Sequence, residues 1–274
     1  MIRFFLAGLF FAGTAFAEDV KPVKDAGPYV PSPQSVVADM LRYADLTDKD
    51  FLIDLGSGDG RIVLTAAKVF GARGFGVEIK DELVKKSNDT AAKEGIADRV
   101  KFLKQDLFKT DMSQATVITM YLLPDTVNLL KDKFLNELRP GTRIVSHDYP
   151  LTGWIPEKYV QMDIEAKVEI SGVTTTLIYL YVVPAKVQGN WKATMPPALS
   201  RQPASLNLRQ QLTRISGSLR IDGQDVPLEE ATLRGDKISF RLSGRRGEFT
   251  GQVKGRSIEG TFDGKTPWSA TLGG

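Results

Sequence analysis

The stretch Phe51-Leu-Ile-Asp-Leu-Gly-Ser-Gly-Asp-Gly-Arg-Ile-Val-Leu64 restricts what this chain can become more than any other. Phe51 to Leu55 is a short apolar run that ends at a glycine, the pattern of a strand buried on both faces of a parallel sheet. Gly56, Gly58 and Gly60 follow at alternate positions. From Arg61, the residues Ile62, Val63, Ala66, Ala67, Val69 and Phe70 keep helical spacing. Glycines admit positive φ and close approach, and a helix start offers backbone N–H groups without partners. A strand that passes through such a turn into a helix implies a ligand.

The surrounding pattern extends this unit. Gln34 to Leu46 reads as a helix with Ser32 as its candidate cap. Gly74 to Ile79 reads as a second strand, and Asp81 is placed to cap a helix reaching Glu94. Val100 to Gln105, Ala115 to Leu122 and Thr142 to Ser146 read as further strands, with a helix over Asp125 to Leu138. Alternation of this kind predicts an α/β fold with a doubly wound, Rossmann-like sheet. Val160 to Ile170 and Thr174 to Val183, split by Ser171-Gly172, are expected as an edge hairpin that brings the sheet to seven strands. Beyond Pro184 helical spacing stops, and short alternating runs recur between turns such as Asp222-Gly223, Gly235-Asp236 and Asp263-Gly264. That tail predicts a small antiparallel all-β barrel or meander.

The expected division is a signal peptide over 1–17, a leader and N-terminal helix over 18–50, the α/β domain over 51–184, and the β-rich domain over 185–274. Met1-Ile-Arg3, an apolar run from Phe4 to Ala15, and Ala15-Phe-Ala17 give the charge, core and cleavage pattern of secretory export. The run is short for a membrane span, so cleavage and a periplasmic location are expected rather than an uncleaved anchor. No stable span is expected after cleavage. The chain has no cysteine, which rules out disulfides, thiolate catalysis and Cys-based zinc sites, and its one histidine cannot make a metal site by itself, so no metal is expected. Net charge is only +3, so bulk electrostatics announces no nucleic-acid partner. The charge is uneven, though: residues from Lys186 onward carry an excess of six positive charges, and the rest an excess of three negative. Oligomeric state is not readable.

Two ligands suit the glycine turn. A dinucleotide wants G-x-G-x-x-G, but here the spacing is G-x-G-x-G and Arg61 stands where the third glycine would be. S-adenosylmethionine has no pyrophosphate to seat, and needs a wrapping turn with acids for its amino-acid and ribose parts. Asp54-Leu-Gly-Ser-Gly-Asp-Gly60 resembles motif I of class I S-adenosylmethionine-dependent methyltransferases. Gly76-Val-Glu78 resembles their second motif, Gln105-Asp106-Leu107 their motif after the third strand, and Thr119-Met-Tyr-Leu122 their fourth-strand position. Tyr29-Val-Pro-Ser32 before a helix narrows the likeness to the small protein-lysine methyltransferases of prokaryotes and mitochondria.

That resemblance implies a cofactor site of Asp54, Gly56, Ser57, Gly58, Asp59, Gly60, Glu78 and Asp106, with Glu78 for the ribose and Asp106 for the adenine amino group. It implies a catalytic side that includes Tyr29 and Tyr121, and a protein lysine as substrate. His147, beside Asp148 at the end of the fifth strand, is a candidate base by its chemistry. The β-rich tail departs from the family pattern. The expected signal peptide, which points out of the compartment where S-adenosylmethionine is made, motivates the alternative of an exported, non-catalytic binding protein acting through its β-domain.

Overall fold

A computed structural model describes residues 28–200 and 202–273; the expected signal peptide lies outside them. Two units follow one another along the chain. The first is a mixed sheet in the order β3-β2-β1-β4-β5-β7-β6, built from β1 (Phe51–Leu55), β2 (Arg73–Glu78), β3 (Val100–Lys104), β4 (Val117–Met120), β5 (Arg143–His147), β6 (Lys158–Asp163) and β7 (Thr175–Val182). The pairs from β3 through β5 are parallel, and β7 runs antiparallel between β5 and β6.

Alternation along the strands divides their side chains between two cores. Leu52, Val117 and Val145 join α1 (Gln34–Tyr43) and α2 (Arg61–Phe70) on one face, with α3 (Asp81–Lys93) beyond. Ile53, Ile118 and Ile144 meet α4 (Pro124–Leu129) and α5 (Lys131–Glu137) on the other. Strand order reverses between β1 and β4, and the crevice at the carboxyl ends of these strands is where open α/β sheets hold ligands.

Three local expectations are corrected. The run from Val160 to Ile170 is not one strand: β6 ends at Asp163, and a 3-10 turn over Glu165–Lys167 leads into α6 (Val168–Ser171). The cause is Lys167, only 3% exposed, whose ammonium turns inward to bond the Asp148 carboxylate at 2.7 Å and the Thr175 carbonyl. Ser32 does not cap α1, because Pro33 occupies the cap position and the Ser32 hydroxyl bonds His147 instead. Asp81 is the first residue of α3 rather than its cap, and pairs with Lys104 at 3.4 Å.

The second unit is a closed antiparallel barrel of eight strands, β8 (Gly189–Thr194) through β15 (Thr266–Leu272). Trp191, Phe240, Phe249 and Trp268 fill it, with both indole N–H groups satisfied by carbonyls, those of Val187 and Thr250. Buried residues change allegiance at Pro184: Val183 belongs to the sheet core and Ala185 to the barrel core.

Candidate active site

The β1–α2 turn is shaped by its glycines. Gly58 and Gly60 sit at φ of 53° and 80°, in the left-handed region, and a Cβ on either would strike an aromatic ring. On Gly60 it would come 2.6 Å from the Phe102 ring, and on Gly58 2.4 Å from the Tyr29 ring. The turn borders a solvent-open cavity of about 960 Å³, lined by Pro28–Ser32, Asp54, Gly56–Asp59, Glu78, Gln105, Asp106 and Tyr121 among others.

Three carboxylates reach this cavity from the ends of three adjacent strands. Asp54, on β1, is 2% exposed and accepts a 2.7 Å hydrogen bond from the Thr119 hydroxyl on β4. Burial pushes its carboxyl up to about 7; the Thr119 bond opposes this, while Glu78 and Asp59 add to it. Glu78, closing β2, accepts from the Gly58 N–H at 3.0 Å and from the Ile79 and Lys80 N–H groups, so it ties the glycine turn to the neighbouring strand. Asp106, after β3, keeps one oxygen on the Phe108 N–H as the cap of a short 3-10 turn.

Asp59 does not stand free in its loop. Arg61 grips it with two bonds, Nε to Oδ1 at 2.9 Å and Nη2 to Oδ2 at 2.7 Å. Burial opposes ionisation of Asp59, but the guanidinium outweighs it and holds this carboxyl below the usual carboxylate range. Ser57 has a buried hydroxyl with no partner among the described residues.

The opposite side is aromatic. Tyr29, 38% exposed, lies over the glycine turn. Tyr121 packs against the His147 ring, centroid to centroid 4.0 Å with the planes tilted by 34°, and lies 6.5 Å from the Tyr149 ring. Burial raises the Tyr121 phenol, and the nearby Asp148 carboxylate raises it further. His147 itself is fully buried and does not line the cavity. Its Nδ1 meets the Ser32 hydroxyl at 2.8 Å, and its Nε2 has no hydrogen-bond partner among the described residues. Burial lowers this imidazole to about 4 despite Asp148 3.6 Å away, so it is neutral near pH 7.

The donor set fits the ligand that the turn implies. A cavity with a glycine cradle, an orphan hydroxyl and three converging carboxylates suits a molecule bearing hydroxyl and amino donors and a positive charge. A protein-lysine N-methyltransferase of Saccharolobus islandicus is 43% identical over 157 residues, covering 57% of this chain and 93% of that protein. The chain belongs to this family of S-adenosylmethionine-dependent methyltransferases. The profile of the ANTKMT methyltransferase domain matches residues 54–158 of the enzyme. An adenine nucleotide translocase lysine N-methyltransferase of Mus musculus is 36% identical over 105 residues, which span 38% of this chain and 46% of that relative. A crystal structure described as an RNA methyltransferase from Salinibacter ruber, with S-adenosyl-L-homocysteine bound, shares 43% identity at a TM-score of 0.52, covering 58% of this chain and 96% of that one. The methyltransferase uses S-adenosylmethionine, and the non-catalytic alternative gains no support.

Sequence reasoning missed four contributors. Arg61 was legible as an absent glycine and Ser32 as a helix cap and motif residue, but neither gave sign of the bonds they make. Thr119 lay inside a motif but gave no sign that it holds Asp54. Lys167 looked like an ordinary charge within a strand, and one charge in an amphipathic run gives no hint that it turns inward.

Proposed function

We propose that this methyltransferase modifies lysine side chains of proteins. The observation that carries the reading is the match to almost the whole length of a protein-lysine enzyme. The aromatic surface of Tyr29 and Tyr121 beside the cofactor cavity is consistent with it. The bound cofactor supplies an activated methyl group on a sulfonium, open to in-line displacement. The residues of the chain then have three tasks. Asp54, Glu78 and Asp106, with the turn from Gly56 to Gly60, bind and orient. Tyr29 and Tyr121 present an apolar wall to the incoming amine, and desolvation there lowers an ammonium pKa toward the neutral, nucleophilic form. Positioning supplies most of the acceleration, as in other reactions between two bound partners.

No base is assigned. His147 faces Ser32 rather than the cavity and lies behind the Tyr121 ring, so its role in this reading is to position that wall. In the same reading the enzyme works outside the cytoplasm, on the strength of its export signal, and intact mass of the purified mature chain, beginning near Glu18, checks that part.

The test is transfer of a labelled methyl from S-adenosylmethionine into envelope proteins and, in parallel, into total RNA. Label stable to ribonuclease and recovered as methyl-lysine after hydrolysis is expected. Label found only in RNA would reject a lysine acceptor.

A further inference from the structure

The segment ahead of α1 is held in a way that cofactor chemistry alone leaves unexplained. Pro28 to Ser32 pairs with no strand or helix, yet it forms one wall of the cavity. One end is fastened by Arg61, whose Nη1 donates to the Ser32 carbonyl at 2.8 Å and whose Nη2 stands 3.5 Å from the Tyr29 hydroxyl. The same guanidinium is locked in plane by its two bonds to Asp59. The Ser32 hydroxyl is anchored on His147. Three residues earlier, the Tyr29 ring rests on the bare α-carbon of Gly58, a contact that any side chain at that position would abolish.

The residue type matters. A guanidinium presents five donors in a rigid plane, so it can hold a carboxylate along one edge and a carbonyl along another at once. A lysine ammonium has the charge without the fork. Arg61 also opens α2, so the helix that begins at the glycine turn and the segment that crosses the turn are joined through one side chain.

We propose that Arg61 is a latch that fastens Pro28–Ser32 across the glycine turn, and that release of the cofactor and its demethylated product depends on opening it. The inference rests on the methyl donor as ligand, not on the acceptor. Arg61 is thus a positioning residue that acts through Tyr29 and the backbone of Ser32. The fastened segment covers one side of the open cavity and slows ligand exchange while it holds, as lids do in many enzymes whose turnover is set by release.

The experiment uses full-length mature protein labelled with 3-fluorotyrosine, with the Tyr29 resonance assigned by its loss in Tyr29→Phe, and stopped-flow dissociation of S-adenosyl-L-homocysteine. In ligand-free Arg61→Met the Tyr29 resonance is expected to narrow and move toward the free amino-acid shift. Dissociation should accelerate about tenfold, the effect of losing one charge-assisted hydrogen bond. Arg61→Lys should fall between this variant and wild type. Tyr29→Ala, which leaves Arg61 and Asp59 intact, should also speed release and stands in if Arg61→Met fails to fold. A Tyr29 resonance unmoved by Arg61→Met overturns the latch, whatever happens to affinity, because Arg61 would then act on the ligand directly. So does a freed Tyr29 with an unchanged release rate. Wild-type protein that binds no S-adenosyl-L-homocysteine would remove the methyl-donor assignment and the latch together, whereas normal binding with unaltered release removes the latch alone.

Discussion

Asp54 shows how a functional residue can cost the fold it sits in. Its carboxyl is buried, and one hydroxyl from Thr119 is its neutral support. Between the unfolded value near 4 and the folded value of about 7, the native chain retains a proton that the unfolded chain has lost. Stability therefore falls as pH rises across that window, and at pH 8 the native state carries a desolvated charge. Asp54→Asn keeps an oxygen for Thr119 and removes the charge. The ligand-free variant should melt above wild type at pH 8, with the gap closing toward pH 5 and bounded at about 4 kcal/mol by the size of the pKa shift. The same variant should bind S-adenosyl-L-homocysteine at least about tenfold more weakly, a loss expected when a charged partner is removed from a buried site. Thermal melts at both pH values together with titration calorimetry check the two halves; a variant that is less stable at pH 8 contradicts the account. His147 shifts the other way. Because burial holds it neutral down to about 4, it destabilises the fold as pH drops below about 6.5, where the unfolded imidazole takes up a proton. A kcat profile for methyl transfer should accordingly lack a histidine limb near pH 6.5, and a clear inflection there in wild type, absent from His147→Asn, would restore the base.

At the scale of elements, the unit between β6 and β7 is the informative one. Lys167 is buried and paired with Asp148, which also accepts from the Leu177 N–H at 3.1 Å and borders Tyr121. Removing one partner of such a pair strands the other in a poorly solvated place. Lys167→Met should therefore cost about 3 kcal/mol or more in urea unfolding, and Lys167→Met with Asp148→Asn should cost less than the single change. Additive costs in that cycle would mean the pair is not coupled. This element also marks where sequence reading stops. The strands, the glycine turn and the acids at three strand ends were legible because each has a period or a fixed neighbour: alternation for Leu52 and Ile53, turn geometry for Gly58. Lys167 and Ser32 were not, because their partners, Asp148 and His147, lie on other elements, and the Ser32–His147 bond spans 115 residues. Even in the barrel, whose alternation was legible, the turn between β9 (Ala204–Gln211) and β10 (Arg214–Ile221) lacked any turn residue. Leu212 takes a φ of 56° there, a strained state for a leucine, and packs against the core of the sheet domain.

That contact leads to the whole molecule. The barrel meets the methyltransferase unit through Leu212, through close packing of Gly235 on Gly141, and through the Arg234–Glu157 ion pair at 2.6 Å. None of these contacts lies among the residues that line the cofactor cavity. The Saccharolobus relative is covered to 93% of its length by a match of 157 residues, which leaves no room in it for a barrel of this size. Both facts argue that the sheet domain completes its own core and site. The first unit could be read so fully because its strand–helix alternation, glycine turn and strand-end acids reinforce one another, whereas the barrel had to be inferred from alternation and turns alone. A chain ending after Pro184 should fold cooperatively and bind S-adenosyl-L-homocysteine within about threefold of the full-length affinity, a difference of under 1 kcal/mol. It should be less stable, since Leu212 no longer covers its patch of the sheet core, and burial of one leucine contributes up to about 2 kcal/mol. Leu212→Asp in the full-length chain should reproduce most of that loss without changing cofactor affinity. If truncation instead abolishes binding while the shortened chain remains folded, the barrel acts on the site and the two units are one functional body.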